Sequence, residues 1–136
     1  MFKLKKILGG RTNVGEYRTI TVNPTPSAIK AGTPISIYSS NVRIMSPDVD
    51  FLATHIVEAD AEDKATALYV LDLLPGMVFS ADFEGEPSDY EVYQGYYISK
   101  GKMLTESTGG SKCGAVVYEK PKDGDKEILV TFPCAY

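Results

Sequence analysis

The stretch of residues 95–132 constrains the fold most strongly, because three short β-type runs follow one another there with glycine-bearing turns between them. Its runs are residues 96–98, 115–118 and 128–132, and its turns are Lys100-Gly101, Gly109-Gly110 and Asp123-Gly124. β-Branched and aromatic runs bounded by such turns are typical of strands and hairpins. Nothing in the stretch carries recognisable reaction chemistry, so it predicts architecture rather than function.

The β pattern continues upstream of this stretch. Apolar and polar residues alternate at residues 16–23 and 35–38, and further β-type runs follow at residues 42–45 and 77–81. Residues 51–57 fit a strand or a helix, and residues 58–64 fit one or two helical turns or an exposed loop. We expect roughly eight to ten short strands and at most short helices, which predicts a mainly β fold, a small β-sandwich or β-barrel. Expected core residues are Leu71, Val78, Val116 and Val130.

The length and the distribution of charge predict a single β domain preceded by an arm. A chain of 136 residues fits one domain and can form a hydrophobic core without disulfides or bound metals. Residues 1–11 hold four of the 14 basic residues and none of the 18 acidic ones. We therefore predict an N-terminal arm over residues 1–15, uncoupled at Gly9-Gly10 from a domain over residues 16–136. A basic arm on an acidic body is typical of a docking device or of a solvated tail.

Charge and hydropathy exclude several classes of function. A net charge of −4 argues against general nucleic-acid binding. No apolar run approaches the roughly 18–20 residues that span a membrane, and the N-terminus lacks the apolar region of a secretory signal. We therefore expect a cytoplasmic origin, with Cys113 and Cys134 reduced.

The residue types that carry catalysis or bind metals do not form a recognisable set. The one histidine, His55, lies in a strand-like run, where a hydrogen-bonded structural role is commoner than catalysis. The acidic groups near Asp50, Asp60 and Asp123 lack the spacing of a calcium loop. Residues 108–112 resemble a phosphate loop only superficially, since a strand follows them. The sequence predicts no enzyme, no cofactor and no metal.

The order of these signals resembles small head decoration (cement) proteins of tailed phages. The likeness covers residues 31–132 and rests on glycines and aliphatic residues in the runs 31–37, 53–59, 74–79, 95–105, 113–117 and 127–132. It implies a non-enzymatic virion protein on the exterior of the capsid, assembled in the host cytoplasm. Such a protein binds the major capsid protein as a homotrimer, with no nucleic acid, no membrane and no cofactor.

The resemblance also implies that the arm docks on the capsid. Apolar Phe2 and Leu4 alternate with lysines, as in a strand that adds to an exposed sheet edge. The expected capsid-binding residues are Phe2, Lys3, Leu4, Lys5, Lys6 and Arg11. The alternative is a glycan- or host-surface-binding β module, such as a head-fibre base or an adhesin. Its aromatic platform would consist of Tyr90, Tyr93, Tyr96 and Tyr97.

Overall fold

The computed structural model describes residues 1–8, 17–45, 49–106 and 110–133 and is mainly β. This confirms the predicted fold class. The described residues form eleven strands, which is more than the eight to ten expected, and one 3-10 turn at Pro87–Asp89. The strands are β1 Lys3–Ile7, β2 Tyr17–Thr21, β3 Pro34–Tyr38, β4 Asn41–Arg43, β5 His55–Val57, β6 Ala67–Asp72, β7 Met77–Phe83, β8 Tyr97–Ser99, β9 Lys102–Leu104, β10 Val116–Glu119 and β11 Glu127–Thr131.

The strands form two sheets that pack in a sandwich-like arrangement. The first sheet has the order β10-β11-β7-β9-β8, and β1 also pairs with β7. Strand β1 is antiparallel to residues 77–80, whereas β9 runs parallel to β7 at Asp82 and Phe83. The second sheet has the order β2-β6-β5-β3-β4.

Both sheets curl. In the first sheet, a bridge between Gly95 and Val116 connects the chain just before β8 to β10, at the other end of the strand order. In the second sheet, the amide of Asn23, just after β2, donates to the Ser40 carbonyl in the β3–β4 turn at 2.8 Å. The two ends of each strand order are thereby brought towards each other, and each sheet gains a concave face.

The main core lies between the sheets and is rich in aromatic residues. Its buried members include Phe2, Phe51, Ile56, Leu71, Phe79, Tyr90, Met103, Ile128, Val130 and Phe132. A second, aliphatic core lies on the other face of the second sheet and contains Val22, Ile29, Ile35, Val57, Leu68 and Val70. Residues 22–31 and 58–66 cover this face, joined by two hydrogen bonds between Ile29 and Ala61.

The arm prediction is wrong for the part of the arm that the structure describes. Residues 3–7 form β1 within the first sheet, and Phe2 is only 2% exposed. Residues 9–16, including Arg11, lie outside the described residues. Among the expected core residues, Leu71, Val78 and Val130 are buried, but Val116 is half-buried. Its partner in β11 is Thr131, which faces away from the main core, and alternation places Val116 on that outer face.

Three further expectations are decided by the structure. Of the ambiguous run 51–57, only His55–Val57 is a strand. Residues 58–64 form neither helix nor strand, and Ala61 makes an isolated bridge to Ile29. Strand β9 was not expected from the sequence, and it follows the predicted Lys100-Gly101 turn, where both residues have positive φ.

Candidate functional surfaces

Strand β1 is fixed to the body at its first residues. The Phe2 ring contacts Phe132 at a centroid distance of 5.8 Å, and Phe132 in turn meets Phe79 edge-on at 5.6 Å. The Phe2 amide donates to the Gly32 carbonyl at 3.0 Å, and half-buried Leu4 packs against the same core. These two apolar side chains therefore stabilise the chain's own fold, which corrects the expectation that Phe2 is available to a partner.

The lysines of β1 lie on the outer side of the first sheet. Lys3 pairs with Ser80 and Lys6 with Val78, and the register shifts between Leu4 and Lys6, which places Lys5 at a bulge. All three lysines are exposed. Their positions are set by the strand pairing, so the basic charge expected of a loose arm instead sits on a fixed strand.

One of these lysines also has an internal role. The Nζ of Lys6 lies 5.2 Å from the centroid of the Tyr118 ring on β10. Strands β7 and β11 separate β1 from β10, so the two side chains meet above them. Val78 points to this outer face yet is fully buried. The aliphatic stem of a lysine can cover apolar surface while its ammonium stays in water, and Lys6 is the β1 residue that pairs with Val78.

A polar ladder crosses three neighbouring strands of the second sheet. Asp72 on β6 accepts from Arg18 Nε on β2 at 3.2 Å, and the same Oδ1 lies 3.1 Å from His55 Nε2 on β5. The other ring nitrogen of His55, Nδ1, lies 2.7 Å from Thr54 Oγ1, which accepts from the Ile37 amide at 2.9 Å. The ladder therefore ties β2, β6, β5 and β3 together at one end of the sheet.

The hydrogen bonds around His55 fit one neutral tautomer. Since Thr54 Oγ1 already accepts from the Ile37 amide, its own hydrogen can go to Nδ1, which leaves the proton on Nε2 to face Asp72. Burial lowers the pKa of His55, Asp72 raises it, and Arg18 lowers it. The predicted strand position and hydrogen bonding of this histidine are confirmed.

A hydroxyl–imidazole–carboxylate series is also the pattern of an activated nucleophile. Thr54 Oγ1 is occupied by the Ile37 amide. In this structure the three side chains connect strands β3, β5 and β6 of the second sheet.

The remaining candidate chemical groups do not converge in the described part of the chain. No group of three or more His, Cys, Asp or Glu residues is placed to hold a metal ion among the described residues. Cys113 is a free thiol whose pKa is raised to about 12 by complete burial; Cys134 lies outside the described residues. Within those residues, no helix has the length and apolar character needed to cross a membrane.

The four tyrosines expected to form a platform do not lie on one surface. Tyr90 is fully buried, and its hydroxyl shares its one hydrogen between the carbonyl oxygens of Glu84 and Met103, at 2.6 and 2.9 Å. Tyr96 stacks edge-on against it. Tyr93 is exposed, and Lys112 Nζ lies over the Tyr97 ring at 5.1 Å. The platform prediction is therefore wrong. The exposed aromatic pair is Tyr17 with Tyr69, stacked at 6.4 Å on β2 and β6.

An apolar groove lies beside the β3–β4 hairpin. It has a volume of about 830 Å³ and is lined by Pro26, Ser36, Tyr38, Asn41, Val42, Arg43, Ile44, Met45, Phe51 and Leu52. Phe51 belongs to the main core, whereas Tyr38 and Leu52 are 80% and 58% exposed. Arg43 is the one charged side chain in the described lining. Exposed apolar surface of this kind is typical of a contact with another macromolecule.

No protein-family model matches this sequence, and a search of curated proteins finds no relative. Function must therefore be argued from the surfaces themselves.

The sequence reasoning missed both the ladder and the groove. The ladder joins Arg18, His55 and Asp72, which are far apart in the chain and carry no spacing signal. The groove depends on residues of the hairpin meeting Phe51 and Leu52. The only hint was the β-type run at 42–45, which fits an ordinary strand equally well.

Proposed function

We propose that the protein is a non-enzymatic virion protein that binds the exterior of a tailed-phage head and stabilises it. It acts as a homotrimer on the major capsid protein. The observation that carries the proposal is β1, a strand fixed by Phe2 that presents Lys3 and Lys5 on an otherwise acidic chain. The sequence resemblance supports the phage class. A stabilising protein needs contact area and repeated attachment rather than reaction chemistry.

The basic strand suits an acidic partner surface. Each exposed ion pair contributes only about 0–1 kcal/mol, so Lys3 and Lys5 mainly speed and orient the encounter. Among the described residues, β7 is the one strand with which β1 pairs. The backbone groups on the side of β1 that faces away from β7 can pair with a strand of the partner. This pairing supplies affinity without any further apolar side chain.

The test is co-sedimentation of the full chain with undecorated heads. Lys3→Glu combined with Lys5→Glu is expected to weaken binding at low salt and to flatten its salt dependence, because screening already suppresses the lysine contribution at high salt. Lys122→Glu with Lys126→Glu makes the same charge change at exposed lysines near the β10–β11 turn.

This control separates local docking from net charge. If the control pair loses as much binding as the β1 pair, only net charge matters. If the β1 pair binds heads as tightly as the parent chain, docking through β1 is excluded. If the parent chain does not bind heads at all, the head-binding proposal itself fails.

A second candidate function is glycan binding, and the observation that favours it is the Tyr17–Tyr69 stack. Both rings are exposed, and burial raises the pKa of the nearby Glu58 carboxyl. Exposed aromatic faces with an adjacent carboxylate can stack on and hydrogen-bond a sugar. A cross-strand aromatic pair also stabilises a sheet by itself. Titration of the chain with simple glycosides, monitored by tyrosine NMR signals, distinguishes the two roles.

A further inference from the structure

The turn before Tyr96 carries an exposed apolar knob. Tyr93 is 73% exposed and Val92 is 37% exposed. The amide of Tyr93 donates to the Val117 carbonyl at 2.8 Å, and the Val117 amide donates to Gln94 at 3.1 Å. These two hydrogen bonds hold the turn against β10. The backbone of Tyr93 is therefore fixed while its side chain lies in solvent.

The backbone of this knob is strained. Tyr93 has φ of +66°, in the left-handed region that a bulky residue rarely adopts because its Cβ crowds the backbone there. Glycine or asparagine would satisfy the same turn with less strain. A large aromatic residue that is both strained and solvent-exposed contributes little to the fold, which points to a role outside the chain.

The groove beside the β3–β4 hairpin has the size and the charge to accept such a knob. The groove is concave, and its volume of about 830 Å³ falls in the range of roughly 300–1,000 Å³ that encloses drug-sized groups. It therefore has room for the side chains of Val92 and Tyr93. Arg43 lines the groove, whereas the knob follows the acidic residues Glu86, Asp89 and Glu91.

We propose that the groove binds the knob of a second copy of this chain, with Tyr93 of one copy inserted between Tyr38 and Leu52 of the next. Arg43 then faces the acidic side of the turn, where Glu91 is 68% exposed and only 3.7 Å from Lys120. The aromatic anchor supplies most of the affinity, and the charges set the orientation. This contact is independent of what the protein binds, and it can be measured without any phage head.

The contact joins two different surfaces, so it can be tested by complementation between variants. Tyr93→Gly removes the knob and also relieves the positive-φ strain, so this variant should fold at least as well as the parent. Leu52→Glu fills the groove with charge at an exposed position. Each variant alone should raise the self-dissociation constant by more than about tenfold, as loss of an aromatic or central apolar anchor does.

Sedimentation velocity of the purified full chain over a range of concentrations is the measurement. The parent chain should associate as concentration rises, and each variant should stay monomeric. An equal mixture of the two variants should form a two-chain complex, because Tyr93→Gly retains the groove and Leu52→Glu retains the knob.

Three results would overturn the proposal. They are a parent chain that stays monomeric throughout, variants that associate like the parent, and a mixture that stays monomeric. If the groove binds a different partner instead, the parent chain stays monomeric. A melting temperature no lower than that of the parent, measured at a dilution where the parent is monomeric, shows that lost association is not lost folding.

Discussion

The two apolar cores of this protein are built differently. The main core lies between two sheets and contains phenylalanine rings from opposite ends of the chain, including Phe2 and Phe132. The second core is entirely aliphatic and lies between one sheet face and two loop segments. Sheets present rigid, hydrogen-bonded walls, whereas loops can adjust to a lost methyl group. The main core should therefore be the less tolerant of change.

The difference also explains where the charged and polar side chains of the two sheets lie. Strand β1 is held by the main core through Phe2 and carries its lysines on the outside. The polar ladder of Arg18, Asp72 and His55 lies on the same sheet face as the second core, because His55 and Asp72 alternate with Ile56 and Leu71 of the main core. Apolar anchoring on one side of a strand thus fixes polar groups on the other.

The largest effect should come from Phe2→Ala. This change removes a ring from the main core and should lower the free energy of unfolding by about 3–5 kcal/mol. Denaturant unfolding measures it, and Tyr38→Ala, at a position 80% exposed, is the control, with an expected change within about 0.5 kcal/mol. A Phe2→Ala variant as stable as the parent would mean that β1 is the loose arm predicted from the sequence.

The next effect compares the two cores with one chemical change. Ile128 lies in the main core and Ile35 in the second, and both are fully buried. Replacement by valine should cost about 0.5–1.5 kcal/mol at either site. Ile128→Val should lie at the upper end of this range, since sheet walls relax less than loops. Equal losses of stability would remove the distinction between the cores.

A smaller effect is expected at the Lys6–Tyr118 contact. Tyr118→Leu keeps apolar cover over Val78 but removes the aromatic face, and should cost about 0.5–1 kcal/mol. Lys6→Met removes the charge and keeps most of the aliphatic stem. Its cost in stability should therefore be smaller in the Tyr118→Leu variant than in the parent chain. A double-mutant cycle with zero coupling energy would show that the ring and the ammonium do not interact.

The smallest effect concerns pH. Burial lowers the pKa of folded His55 below its unfolded value of about 6.5, so the unfolded chain binds more protons as pH falls through that value. The contribution of His55 to stability is therefore present above that pH and is lost on acidification. The Asp72 carboxylate offsets part of the shift, and the raised pKa of Glu58 acts in the opposite direction.

The difference in stability between the parent chain and His55→Gln, measured as a function of pH, isolates the contribution of His55. Stability measured from neutral to mildly acidic pH should fall more steeply for the parent than for the variant. Parallel curves would show that burial does not lower the pKa of the imidazole in the folded chain.

The sequence predicted the β class and many of the strands because strand and turn signals are local. Residues 128–132 and the Lys100-Gly101 turn carry such signals, and β8, β10 and β11 lie where the three runs of that stretch indicated. Strand β1 was misread as an arm because its anchor, Phe132, lies at the other end of the chain. A local pattern contains no information on that contact.

The candidate surfaces were less predictable for the same reason. Tyr90 reads as a surface aromatic residue, yet its hydroxyl is satisfied by two carbonyls that only the fold brings together. Tyr93 has a positive φ, and no glycine at this position indicates that conformation in the sequence. Only the lysines of β1 were visible in advance, because charge can be counted without the fold.

The most direct test of the central claim, that β1 is at once part of the folded body and the docking edge, is amide hydrogen exchange of residues 3–7. In the free chain, the β1 amides that face β7 should be protected to nearly the same extent as those of β7 itself. Addition of undecorated heads should then protect the β1 amides that face away from β7. Exchange of all β1 amides in the free chain at the rate of an unfolded peptide would contradict the structural half of the claim. Unchanged exchange of the outward-facing amides on heads that bind the protein would contradict the functional half.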